Sequence, residues 1–250
     1  MQAYLTLVRR ELGGFFTSFT GYTVLAVALL LNGLSFVGMI GYVNGRPTPE
    51  PITELYYQNL FFWIILLMAA PAITMRSFAL EKDTGTFETL MTTPVSDRQV
   101  VAAKFTGALI FYVLLWLPLL ANALVLRHFG GASGAFDFGL LGSTACGILL
   151  IGGVYMSLGI FASSLTRSQV TASMISFALG VTLFMLSFAG AGLATNESWV
   201  SAVIEAVNLR RHMEGFAGGV IDTRAIVLPL SLTALFLFLT LRVVESRRWK

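Results

Sequence analysis

Residues 76–104, RSFALEKDTGTFETLMTTPVSDRQVVAAK, form a polar, patterned stretch set between two long apolar runs. The contrast between this segment and its flanks decides the fold class. Of 250 residues, 56% are hydrophobic and 12% charged, with a mean hydropathy of +0.79, whereas soluble domains are about one quarter charged. Several windows of about 20 residues carry no charge, the length needed to cross a hydrocarbon core. The expected fold is an all-α polytopic membrane protein with six transmembrane helices.

Charge-free windows place the spans at Thr20–Val43, Leu55–Met75, Phe105–Leu126, Phe138–Ala162, Val170–Leu193 and Ala225–Leu241. An even number puts both termini on one side. That side, with the loops after the second and fourth spans, holds Arg9, Arg10, Arg76, Lys82, Arg98, Lys104, Arg167, Arg242, Arg247, Arg248 and Lys250. The other holds only Arg46, Arg127, Arg210, Arg211 and Arg224. Basic residues mark the cytoplasmic face, so the termini and the 76–104 loop are expected there. The net charge of +3 then reflects membrane orientation and lipid contact, with no nucleic acid implied. The first run is too long for a signal-peptide core and lacks a small-x-small cleavage site, so it is read as a retained span.

Residues 1–250 read as one transmembrane domain with three appended features. In residues 1–19, Leu5, Val8, Leu12, Phe15, Phe16 and Phe19 recur at helical steps opposite Gln2, Thr6, Arg9, Arg10 and Gly13. This is the pattern of an amphipathic interfacial helix, interrupted as a span by Arg9, Arg10 and Glu11. Residues 76–104 form the cytoplasmic loop, and residues 194–224 an external loop before the last span. In the latter, Trp199, Val203, Ile204 and Val207 have helical spacing opposite Glu205 and Asn208, and Gly215, Gly218 and Gly219 are expected to break that helix.

Within the cytoplasmic loop, Asp83, Thr84 and Gly85 make a break. Thr86 is placed to cap a short helix, with Glu88 in its first turn favouring the helix dipole. Phe87, Leu90 and Met91 share one face, and Pro94 stops the ladder. Ser96 and Gln99 then have capping-box spacing for the helix that enters the third span. An apolar face on a short loop helix either fills a groove on a partner or lies on lipid headgroups; the first reading is favoured.

Other chemistry is thinly represented. There is no GxxxxGK[ST] phosphate cradle, so ATP hydrolysis by this chain is not expected. His128 and His212 lack an HExxH context and read as surface residues. No Asp, Glu, Lys or Arg lies within the windows given above, which argues against ion-coupled transport, and no His or acid accompanies the span serines for hydrolysis. Cys146 reads as a packing residue. Asn32 in the first span is open to two readings, a substrate path or a helix-to-helix hydrogen bond. Ala172, Ser176 and Gly180 form a small-residue stripe permitting close helix approach, within the subunit or across a dimer.

The stretch GTFETLMTTPVSDRQVVAAKF strongly resembles the E-x-x-x-G-T-x-E-x-L-x-x-x-P-V-S…K pattern of ABC-2 type transporter permeases, with Glu81, Gly85, Thr86, Glu88, Leu90, Pro94, Val95, Ser96 and Lys104 in register. The opening LVRRELGGFFTSFTGYTVLAVALLLNG and closing GVIDTRAIVLPLSLTALFLFLTLRVVESRRWK look like the gliding-motility GldF branch, with NosY-type permeases behind it. The resemblance implies a single permease domain with an N-terminal elbow helix, in a dimer with a second copy or paralogue, in a bacterial inner membrane. It also implies a separate ATP-binding-cassette subunit carrying ATP and Mg, with no cofactor on this chain. Residues Thr86–Thr93 would be the coupling helix, and Glu81, Gly85, Thr86, Phe87, Glu88, Leu90, Met91 and Pro94 the coupling residues. In such families the first and fifth spans tend to lie near the dimer centre, which tilts the Ala172–Ser176–Gly180 stripe toward a dimer. The resemblance also suggests a GldG-like extracytoplasmic protein as a further partner, as accompanies some GldF-like permeases. The expected function is a permease that couples ATP hydrolysis on that subunit to export or movement of a substrate. The alternative is a membrane anchor that moves a periplasmic partner without passing a solute; a membrane-embedded enzyme is a remote third.

Overall fold

The computed structural model describes residues 2–43, 51–91, 95–129, 138–193 and 208–247. These form helices with no strand among the described residues: α1 (Gln2–Phe16), α2 (Phe19–Val43), α3 (Ile52–Gln58), α4 (Leu60–Thr74), α5 (Ala79–Asp83), α6 (Thr86–Met91), α7 (Asp97–Leu115), α8 (Leu117–Phe129), α9 (Phe138–Leu165), α10 (Gln169–Leu193), α11 (Leu209–Ala217) and α12 (Thr223–Arg247). Six stretches are long and apolar enough to cross a membrane, starting at Phe19, Leu60, Asp97, Phe138, Gln169 and Thr223. The chain is a multi-pass, all-α membrane protein.

Two span boundaries differ from the sequence expectation, each for a local reason. The second span begins at Leu60 rather than Leu55 because Asn59 leaves the helical region, at φ −67° and ψ 135°, and its side chain accepts from Phe61 N. An asparagine that caps a new helix ends the old one, so α3 stands apart from α4. The third span sits on a helix that begins at Asp97, where the Ser96–Gln99 capping box forms as expected.

That third helix is itself broken at Trp116. Pro118 has no N–H to give, and Leu119 N turns back to Trp116 O at 3.0 Å in a tighter turn. The Leu115 carbonyl is thereby released from the ladder and accepts from Asn32 Nδ2 of α2 at 3.3 Å. Asn32 also donates to Ala28 O at 2.9 Å and accepts from Tyr56 of α3. Fully buried, this amide ties α2, α3 and α7 together.

Helix α9 is the hub, flanked by α12, α10, α11, α4 and α7. Its missing side chains admit its neighbours. A β-carbon at Gly147 would lie 2.8 Å from Phe216 Cβ of α11, one at Gly152 would lie 2.0 Å from the Tyr112 ring of α7, and one at Gly159 would lie 2.1 Å from Thr74 Oγ1 of α4. Tyr112, Phe216 and Thr74 are all fully buried.

The stripe on α10 completes this packing. Gly180 lies beneath the ring of Tyr155, whose hydroxyl donates to Gly180 O at 3.3 Å. Ser176 faces Gly159, and Ala172 is wholly buried. The close approach these three residues allow is made inside the chain, between α10 and α9, rather than on an outward face.

Away from the chain ends, α3 and α11 cap the bundle. Thr53 Oγ1 donates to Ala217 O at 2.8 Å and Ser143 Oγ to Phe216 O at 2.7 Å, fastening the carbonyl end of α11 to α3 and α9. Asn208 caps its start, accepting from Arg211 N and donating to Ser187 O. Desolvation, helped by Glu214 and Glu54, pushes the Tyr57 phenol up to about 12. Gly215 does not break a helix as expected: it lies within α11, because the turn comes at Gly218 and at Gly219, whose φ is +79°. The expected helix around Trp199, Val203, Ile204 and Val207 lies outside the described residues.

Gly152→Ala is expected to destabilise the chain by about 1–3 kcal/mol, as overpacking does, because Tyr112 is held on all sides. Gly142→Ala, where nothing lies within 4 Å, is expected to be neutral. Thermal unfolding of the two variants in detergent checks this; equal melting temperatures would contradict it.

Candidate functional site

At the end of the bundle that carries α1, the chain between α4 and α7 folds back as α5 and α6. Helix α5 is too short to persist alone, and other helices hold it. Its N-cap residue, Phe78, offers no side-chain cap. Ser163 of α9 does that work: its hydroxyl accepts from Phe78 N and Ala79 N and donates to Met75 O, each at 3.1 Å. Lys82 donates to Ser164 O, where the C-terminus of α9 favours a cation. Arg76, in the turn before α5, donates to Ser18 and to Thr20 Oγ1 at the elbow between α1 and α2.

The remaining tie is electrostatic. Lys104 of α7 is only 2% exposed, and its Nζ lies 2.8 Å from Glu81 Oε1 of α5 and 3.0 Å from Glu11 Oε1 of α1. Arg10 Nη2 bridges the same two carboxylates at 3.0 Å each. Two cations and two anions balance, as burial requires, since an isolated buried charge costs several kcal/mol. The ring of Phe78 lies 5.1 Å beneath the Lys104 ammonium and covers a further side with its electron-rich face.

Sequence reasoning placed no ionisable residue inside a span window, which holds only if the third span starts at Phe105. The capping box starts α7 at Asp97, so Lys104 lies on the helix that carries that span and is buried. Arg10, Glu11, Arg76, Lys82 and Ser163 were not among the site candidates. The available signal was Glu11 itself, one acid beside two arginines in an otherwise apolar-periodic helix.

The coupling candidates among the described residues lie on α5, α6 and the junction between them. Glu81 belongs to the charge node. Gly85 has φ +74° and joins α5 to α6; a side chain in this left-handed region is strained. Thr86 does not cap α6. It is the first residue of that helix, and its hydroxyl turns back to Glu81 O and meets Thr84 Oγ1 at 2.9 Å. Phe87 does not project as an exposed apolar residue either. It packs inward, edge-on to Phe78 at 6.3 Å, with Lys82 Nζ 5.4 Å from its ring centroid. Glu88 is exposed. Leu90 and Met91 lie on α6, with side chains outside the described set, and Pro94 lies outside the described residues. Asn32, Ala172, Ser176 and Gly180 are elsewhere, in the bundle interior.

This arrangement holds a short surface helix on a braced pedestal, and the means of bracing are charge pairing and hydrogen bonding to three separate helices. No curated protein was found to match the chain. The family model described as ABC-2 family transporter protein matches residues 11–241, a range that contains Glu11, α5, α6, Lys104, five of the six span-length stretches and most of the sixth. The chain belongs to the ABC-2 transporter family and is a membrane permease component of an ABC transporter.

Proposed function

We propose that this permease is driven by a separate ATP-binding-cassette subunit docked on α6, and that α5 passes the resulting displacement into the bundle to export or move a substrate. The observation that carries the reading is the convergence on α5 and the turn before it of ties from α1, α7, α9 and the α1–α2 elbow. A helix held from so many sides transmits a push; a loosely tethered one absorbs it. Family membership supports the same partner. With the excess of basic residues taken as the cytoplasmic mark, α6 meets the compartment that supplies ATP, and the membrane is a bacterial inner membrane with both chain termini inside. ATP and Mg reside on the partner, and a second permease copy or paralogue completes the transporter.

The segment Thr86–Thr93 is the contact, with Leu90 and Met91 on its apolar face and Glu88 beside them. Gly85 sets the angle at which α6 leaves α5. The carboxylate of Glu81 joins the moving segment to the bundle.

Leu90→Asp is expected to abolish co-purification with the ATP-binding subunit and its stimulation, while membrane insertion is retained. Retained association with full stimulation would overturn the contact. Gly85→Ala, which forces a β-carbon into a left-handed backbone at about 1 kcal/mol or more, is expected to lower stimulated ATP turnover without abolishing association. Steady-state ATPase assays on the co-purified complex distinguish the two variants; wild-type turnover in Gly85→Ala would contradict the role given to the junction.

A further inference from the structure

Building on that coupling reading, the geometry points to Lys104 as a positioning residue that makes helix α1 a second recipient of the α5 displacement. The argument begins with which parts are fastened to which. Helix α1 lies against α7 over its whole middle: Tyr4 Oη meets Thr106 Oγ1 at 2.7 Å, and Phe15 stacks on Phe111 with centroids 4.6 Å apart. Gly107 leaves the room for this, since a β-carbon there would lie 2.9 Å from Glu11 Cβ. Helices α1 and α7 are therefore one body.

That body meets α5 through the carboxylate of Glu81, with the ring of Phe78, at the start of α5, against Lys104. Glu81 Oε1 accepts from Lys104 of α7 and from Arg10 of α1. Of the two cations, Arg10 is half exposed, and exposed pairs contribute little. Lys104 is buried at 2% exposure, so separating it from Glu81 would leave a desolvated ammonium short of a partner. The low-cost motion keeps Lys104, Glu81 and Glu11 together. When α5 shifts, α7 follows it, and α1 follows α7. Because α2 begins at Phe19, directly after α1 ends at Phe16, the displacement reaches the first span as well as the second and third.

The test uses the full chain co-purified with its ATP-binding subunit, in a Cys146→Ser background, with spin-label pairs read by electron–electron distance measurements. One pair joins Asp83→Cys to Ser231→Cys, the other Thr6→Cys to Ser231→Cys; all three sites are exposed. In the parent chain, trapping the ATP-bound state is expected to shift both distances. Lys104→Arg, which keeps the charge, is expected to preserve both shifts. Lys104→Met is expected to keep the Asp83 shift and lose the Thr6 shift, and Glu81→Gln, which weakens the same α5–α7 tie from its other side, gives the same comparison should the methionine variant fail to insert. A Thr6 shift that persists in these variants, or that is missing in the parent while Asp83 moves, overturns the inference alone. An Asp83 site that stays still in the parent overturns the coupling reading and this inference with it.

Discussion

Helices immersed in hydrocarbon gain nothing by hiding apolar surface from one another, so their association rests on shape and on hydrogen bonds. The constraint is met here by α9. Its glycines face aromatic and hydroxyl side chains of three different neighbours, and the stripe on α10 answers from a fourth direction. Large apolar side chains face outward in quantity on α2, α10 and α12. The interior is correspondingly rich in serine, threonine and tyrosine, whose hydroxyls mostly return to carbonyls of their own helix or of the next one.

Against that background the base of the bundle stands out chemically. The interior of the spans is held by dispersion and close contact, whereas the loop segment is held by charge and by a borrowed cap. Ser163 shows how economical the arrangement is: one hydroxyl ends the turn after α4, starts α5 and fastens both to α9. The neutral set of Arg10, Glu11, Glu81 and Lys104 adds direction, because ion pairs at hydrogen-bonding distance resist sliding as well as separation.

Much of the fold was legible because span length and charge exclusion are one-dimensional properties. The six spans, the α1 amphipathic pattern, the Ser96 capping box and the short helix at Thr86 all follow from local spacing. What escaped was relational. Asn59 could not be read as a helix start without knowing that its side chain turns toward Phe61 N. The inward packing of Phe87 depends on Phe78 and Lys82, both outside the six-residue helix whose periodicity was being read. Ser163 looked like one of many span serines, and Lys104 was assigned to a loop because hydropathy drops before the helix ends. The stripe on α10 was read as a close-packing surface tilted toward a dimer, whereas its neighbours on α9, Gly159 at Ser176 and Tyr155 at Gly180, are identified only in three dimensions.

The carbonyl of Leu115 has a consequence of its own. Released where Leu119 N turns to Trp116 O and taken up by the Asn32 amide, it makes the break in the third span a joint pinned by the first. Helix α8 restarts after Trp116 with a ladder of its own, while the Leu115 carbonyl at the end of α7 is held by α2. Tyr56 shares the same amide, so the break in the third span is tied through α3, by way of Thr53, to the end of α11.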